Sequence, residues 1–269
     1  MNKIHWIKLK SLSSIDLTGE GVTQFLEGQL SIDTKTIEDK VAKLACFCNH
    51  KGRIVALFHI LLIEDGMRLI LPQSIMDAVL AHIKKYVVFF KVKVETNTTE
   101  IFGSQIDNSN IIDDANHTKI DQTSLIISFN QKNHQDSEDS FWFAQLARNK
   151  IAWLTQDTLE HFLPHSLNLP ALKAVDFKKG CFTGQEVIAR MQYKGKLKQH
   201  LQRLDCLQPI NIDNKQKLYQ AEKAVGEVVC SIKSEEQNTI VLAIIKDSAN
   251  LSRQFQTSPE NSPILEITS

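Results

Sequence analysis

The stretch Lys178-Lys179-Gly180-Cys181-Phe182-Thr183-Gly184-Gln185-Glu186, running on into Val187-Ile188-Ala189-Arg190, carries three conformational signals and one reactive group. Thr183 followed three residues later by Glu186 reads as a capping box, in which hydroxyl and carboxylate each satisfy a free N–H at a helix start. Gly180 and Gly184 allow backbone angles or close approaches that a Cβ would forbid. Cys181 then falls just outside a helix N-terminus and beside two lysines. Both neighbours favour the thiolate over the thiol, so Cys181 is the candidate reactive group. Each part also has a plainer reading: a helix cap, a small hydrophobe and two solvated lysines.

Working outward, three more segments stand out: Phe162-Leu163-Pro164-His165-Ser166-Leu167-Asn168-Leu169, Phe25-Leu26-Glu27-Gly28-Gln29-Leu30-Ser31-Ile32-Asp33 and Cys48-Asn49-His50-Lys51-Gly52-Arg53. With Lys179-Gly180-Cys181-Phe182-Thr183-Gly184-Gln185-Glu186 they resemble, in family order over residues 15–200, the segments of the YgfZ family. These are folate-binding, tRNA-modification-associated relatives of the glycine-cleavage T protein. The resemblance implies an α+β fold of T-protein type. Residues 1–200 would form the folate-binding region as two ferredoxin-like α+β lobes, about 1–100 and 101–200, and residues 201–269 a small C-terminal β-barrel.

Bulk properties narrow the function classes. A chain of 269 residues is long enough for one to three domains with a substantial core. Formal net charge is zero, so nothing attracts the chain as a whole to nucleic acid. Direct nucleic-acid binding is therefore not expected, although a local basic site is left open. Five cysteines at irregular spacing do not form a disulfide framework. Leu44, Cys46 and Cys48 alternate as one face of a strand. No apolar run is long enough to span a bilayer and nothing resembles a signal peptide, so the reading is a soluble, reduced, cytoplasmic protein.

Taken in order, Trp6–Leu9 reads as a short strand, and Val22, Phe25, Leu26 and Leu30 as a helix face. Strands are expected at Val41–Cys48 and Ile54–Ile63, with His50–Arg53 as the turn between them. Asp65-Gly66 marks the next hairpin, and Pro72 the end of its second strand. Ile75, Val79, Leu80 and Ile83 mark a helix, and Tyr86–Glu95 a strand. The polar segments 104–123 and 130–140 read as loops around a strand at Leu125–Phe129. Lys194-Gly195-Lys196-Leu197-Lys198 leads into β-rich runs at Leu201–Leu207, Ala224–Ile232 and Thr239–Ile245, and Pro259 and Pro263 predict an edge strand or irregular end.

The resemblance implies the chemistry that composition cannot. It points to tetrahydrofolate or a derivative in a cavity between the lobes, with Cys181 nearby. It also implies support for the synthesis or repair of iron–sulfur enzymes, tRNA methylthiotransferase among the partners. Trp142 is the candidate to stack on the pterin, although Phe143 could take that place. Lys51 and Arg53 form a cationic rim for the glutamyl tail, against the plainer reading of a solvated turn. Asn168 belongs to the approach segment, and Arg190 closes the cysteine motif. The family's other folate-associated tryptophan is Leu12 here. Asp33 reads as a turn or helix cap. His161 and His165 have the spacing of helical metal ligands, but Pro164 between them argues against a helix, and no metal is expected. An aminomethyltransferase is the alternative activity. T proteins place two acids after a G-G-[IV] turn, whereas this chain has Ala56 and Leu57, which cannot transfer protons. A folate-independent iron–sulfur scaffold is a third class.

Overall fold

The computed structural model describes residues 4–106, 117–129, 131, 134–135, 138–234, 237–249, 253–259 and 263–267. The first lobe is built from β2 (Leu12–Thr18), α1 (Val22–Glu27), β3 (Val41–Cys48), β4 (Ile54–Ile63), β5 (Gly66–Pro72), α2 (Met76–Val87) and β6 (Lys93–Asn97). The second contains β7 (Phe102–Gln105), β8 (Thr118–Ile120), β9 (Leu125–Ser128), α3 (Ser140–Arg148) and α4 (Gln185–Lys194), and it takes in β1 (Ile7–Lys8) from the start of the chain. One nine-stranded sheet runs through both lobes in the order β1-β7-β9-β8-β3-β4-β5-β2-β6. The lobes join where β3 and β8 pair in parallel, Val41 opposite Lys119 and Ala42 opposite Ile120.

The hydrophobic pattern of β3 and β4 explains why they are central. Along β3, Ala42, Leu44, Cys46 and Cys48 enter the core shared by the lobes, while Ala45 and Phe47 enter the first lobe's own core. Along β4, Leu57 and Leu61 face the shared core and Ala56, Phe58 and Ile60 the other. A strand buried on both faces reads as a nearly continuous apolar run rather than an alternation, as Ile54–Ile63 does.

The remaining strands, β10 (Gln199–Cys206), β11 (Lys217–Gln220), β12 (Lys223–Lys233), β13 (Thr239–Lys246), β14 (Gln254–Gln256) and β15 (Ile264–Ile267), close into a barrel in the order β10-β13-β12-β11-β14-β15. Its interior is filled by residues such as Leu204, Leu218, Val241 and Phe255. On the other side Cys230, Ile240, Leu242 and Ile244 join the shared core beside α3. The α+β fold with a C-terminal barrel is thus as the sequence implies. Among the described residues no helix is long and apolar enough to cross a membrane.

Three expectations need correction. Tyr86 and Val87 end α2, and the strand begins only at Lys93; the Tyr86 ring sits 5.1 Å from His82, one turn earlier on the same helix face. The polar segment 104–123 contains β8 and the end of β7, with 107–116 outside the described residues. The end of the chain is no edge: β15 pairs with both β14 and β10, and Pro259 and Pro263 lie between strands, where no ladder N–H is required.

Candidate functional site

Residues 178–184 form a loop ahead of α4 whose Lys178, Gly180 and Cys181 are exposed, but the predicted capping box does not form. Gly184, in the left-handed region at φ 85°, is the N-cap, and no side chain caps the helix. A Cβ on Gly184 would lie 2.5 Å from the Asn49 carbonyl oxygen, so this glycine is required both by its φ and by its packing. The turn at Gly184 moves Thr183 out of capping position. Its N–H donates to the Gly28 carbonyl and its hydroxyl approaches Gln29 Oε1 at 3.4 Å. Gly180 has neither a left-handed φ nor any heavy atom within 4 Å of where a Cβ would stand.

Lys179 does not stand beside the thiol. Its side chain is fully buried, and Nζ donates to the carbonyls of Glu27 (2.8 Å), Leu30 (2.8 Å) and Ile32 (3.0 Å). Glu27 Oε1 lies 3.4 Å away and the Phe182 ring 5.2 Å. Burial pulls the Lys179 pKa below the ordinary lysine value, opposed by the charge of Glu27. The ammonium supplies the donors that the carbonyls at and beyond the end of α1 lack. Phe182 is buried in the shared core. Cys181 is exposed, as is Lys178; Cys46, Cys48, Cys206 and Cys230 are buried.

The four segments singled out in the sequence meet in space. Lys179 and Thr183 bind the segment 25–33. Gly184 docks on the β3–β4 turn, and Gly52 in that turn (φ 71°) packs against Val187 and Ile188 of α4. Ser31 Oγ accepts from the Cys46 N–H and donates to the Ala174 carbonyl. The Phe162 carbonyl accepts from Ile54 N–H, Arg53 from the turn donates to the His161 carbonyl, and His165 Nε2 lies 3.2 Å from Gln192 Oε1 on α4. Asn168 occupies a left-handed turn (φ 59°) in this approach segment, a conformation Asn tolerates. Asp33 is a local cap, accepting from Lys35 N–H. Cys46 and Cys48 sit on one strand face, with Sγ atoms 3.7 Å apart. His161 pairs with Glu227, and among the described residues no group of three His, Cys, Asp or Glu is placed to hold a metal.

Among the described residues, three cavities lie around this framework. A mouth of about 860 Å³ opens between the lobes, lined by Lys10, Ser11, Pro72, Gln73, Ser74, Glu138, Asp139, Ser140, Phe143, Trp153 and their neighbours. The Phe143 and Trp153 rings stand 4.8 Å apart in its wall. The same Pro72, Phe143 and Trp153 also wall a throat of about 30 Å³ with Leu12, Leu57, His59 and Trp142. His59 Nε2 is buried there with no hydrogen-bond partner, and burial lowers the His59 pKa to about 4, so the imidazole is neutral at pH 7. Trp142 is 2% exposed, its ring packed on Gly103. A third cleft, about 300 Å³, lies between the first lobe and the barrel, and Arg53, Lys217, Glu227 and Lys246 line it.

The predicted residues therefore do not all converge. Trp142 and Phe143 flank the throat, Arg53 faces the barrel-side cleft, and Lys51, Asn168 and Cys181 line none of the three cavities. His59 and Trp153 were not legible as site residues. His59 carried one signal, its place two residues beyond Leu57 on β4 and hence on the same strand face.

No protein-family model matches the chain. A tRNA-modifying protein YgfZ from Colwellia psychrerythraea is 26% identical, covering 98% of this chain and 88% of that protein. The tRNA-modifying protein YgfZ from Aliivibrio fischeri strain MJ11 is 25% identical, over 93% of this chain and 87% of its own length. That of Buchnera aphidicola is 26% identical over 90% and 87%. The crystal structure of glycine cleavage system aminomethyltransferase T from Bartonella henselae superposes with a TM-score of 0.72 at 12% identity, covering 99% of this chain and 85% of that one. In sequence along nearly its whole length, the chain is a relative of the YgfZ proteins, and it is built on the fold of the glycine-cleavage T protein.

Proposed function

We propose that this protein binds a reduced folate, tetrahydrofolate or a derivative, at the inter-lobe mouth, and that it supports iron–sulfur enzymes of tRNA modification, methylthiotransferases among them, without performing aminomethyl transfer. The observation that carries the reading is His59 Nε2, a buried polar atom without a partner at the end of an aromatic-walled throat. Such an atom is costly unless a ligand or water completes it. The residues present fit the group. The mouth is within the size range of small-molecule sites. Trp153 and Phe143 offer flat faces to a pterin, and Lys10 with the Ser11, Ser74 and Ser140 hydroxyls offers polar contacts to a carboxylate tail, in a wall that also carries Glu138 and Asp139, the latter committed to the Lys10 and Ser11 backbone N–H groups. Arg53 and Lys51 stand elsewhere, so the tail would leave past Lys10. The throat has room for one water or an exocyclic group beside neutral His59. Bound there, a reduced folate would supply one-carbon or reducing chemistry.

Leu57 counts against the aminomethyltransferase reading. Of the two positions where T proteins carry acids, Leu57 lines the throat and Ala56 turns into the first lobe's core. Neither can hold or move a proton. The tRNA link rests on the relatives, which are named tRNA-modifying proteins.

Calorimetric titration with tetrahydrofolate and its formyl derivatives, followed in parallel by tryptophan fluorescence, tests the reading. Saturable binding is expected, with quenching that Trp153→Phe reduces, Trp142 remaining in the throat wall, and affinity that His59→Leu weakens roughly tenfold, by loss of one buried hydrogen bond. No heat and no quenching up to about 1 mM, a dissociation constant worth only about 4 kcal/mol, would leave the scaffold reading in its place. In cells, Cys181→Ser is expected to fold and to reduce tRNA methylthiolation.

A further inference from the structure

The chain as a whole has no net charge, but its charge is unevenly placed. Residues 176–200 contain six Lys or Arg against two Asp or Glu. Lys51, Lys178, Arg190, Lys194, Lys196 and Lys198 are all exposed, and among the described residues no side chain of the six has an ion pair or hydrogen bond. They lie around one helix. Gly52 packs against Val187 and Ile188, which sets Lys51 beside the first turn of α4. Phe177 meets Tyr193 edge to face at 6.1 Å, which brings Lys178 alongside the last turn. Arg190 lies between these ends. Lys194 suits the helix C-terminus, but Lys196 and Lys198 lie beyond it, where no dipole accounts for them. Among these cations Tyr193 is 72% exposed. Cys181 is exposed on the same loop as Lys178.

We propose that the exposed face of α4, with the flanking loop 177–181 and the tip of the β3–β4 turn, is an RNA-binding surface that presents the Cys181 thiol beside the bound strand. Unpaired lysines meet phosphates at little desolvation cost and release counterions. An exposed aromatic ring among them gives a base a face to stack on. An acidic protein partner fits less well, because five of the six cations are lysine, the residue that protein interfaces deplete. The surface is separate from the inter-lobe mouth, so the inference stands whether or not folate binds.

The test is fluorescence anisotropy without folate, using a labelled single-stranded RNA of 12 nucleotides and a tRNA-sized folded RNA, from 50 to 200 mM salt. The intact chain should bind both. The Lys194→Glu/Lys196→Glu/Lys198→Glu protein should bind at least tenfold more weakly at 50 mM. Its log–log salt slope should be shallower by about 2, since each phosphate contact contributes roughly 0.7 to 0.9. Lys→Gln at the same three positions should do the same in smaller measure, with both variants checked for an unchanged melting temperature. Tyr193→Ala should weaken the single strand about fivefold or more with the slope unchanged. No binding at 50 mM salt, equal binding by the triple variants, or displacement of the RNA by polyglutamate at equal charge concentration would overturn the proposal, the last in favour of an acidic protein.

Discussion

Replacing Lys179 by Met should cost stability, and the structure sets the size of the effect. The aliphatic stem has a near match in Met, so packing is largely kept. What is lost is an ammonium that donates to three carbonyls and faces Glu27. Hydrogen bonds to charged groups contribute about 1.5–3 kcal/mol each, and the relieved cost of burying the ammonium offsets part of their sum. Removing one partner of a buried pair typically costs about 3–5 kcal/mol, and that range is the expectation here. At roughly 2–4 °C per kcal/mol for a chain of this size, the melting temperature should fall by about 10 °C. Lys178→Ala, one residue earlier and at the surface, should change stability by less than about 0.5 kcal/mol. Paired thermal and urea unfolding of the two variants checks this. A Lys179→Met protein that melts within about 1 °C of the parent would show that the lysine is not the tie between loop 178–184 and the end of α1. The motif's first lysine would then need a functional explanation.

Acid should destabilise the fold. Burial lowers the pKa of both His59 and His82 to about 4, the charge of Lys85 adding to the effect at His82. Unfolded, each binds its proton near 6.5. Their contribution is therefore complete above about pH 6.5, declines as pH falls toward 4 and is flat below that, about 3 kcal/mol per residue in all. Melting temperatures from pH 7.5 to 4 should fall accordingly, and a flat profile over that range would contradict the burial. Brief treatment of the native protein with iodoacetamide should add one adduct, at Cys181, and unfolding should release the other four thiols; two or more native adducts would contradict the placement of Cys46, Cys48, Cys206 and Cys230.

What could be read from the sequence follows the range of the forces involved. β3 and β4 begin and end where the apolar runs and the Lys51-Gly52 turn place them, because burial and turn chemistry are local there. β8 is three residues long and mostly polar, paired with the nearby β9 and in parallel with β3, 78 positions away, so its own sequence carries no alternation that announces a strand. Barrel closure by β15 depends on β10, and the prolines that suggested an edge serve as linkers. At the site, Thr183 and Glu186 have the right spacing for a capping box, but the left-handed Gly184 and the pull of Gly28 and Gln29 take Thr183 elsewhere. His59 becomes a site residue only when Leu12, Trp142 and Trp153, from distant parts of the chain, close around it.

The cysteine motif makes sense as a device for holding one side chain out. Lys179 is committed to the carbonyls after α1, Phe182 to the shared core, Thr183 to Gly28, and Gly184 to the β3–β4 turn. Burying the Phe182 ring alone contributes about 1.5–3 kcal/mol to fixing the loop. Between these anchors only Gly180 and Cys181 are uncommitted. Gly184 is glycine because of its left-handed φ and because the fold leaves no room for a Cβ, and Gly52 because of its left-handed φ; at Gly180 φ is not left-handed and nothing lies within 4 Å of where a Cβ would stand. Folding does not explain that glycine. A bare backbone next to an exposed thiol, on a loop riveted at both ends and bordered by unpaired lysines, leaves room for another molecule to approach the sulfur closely, and that approach is the use to which the surrounding anchors can be put.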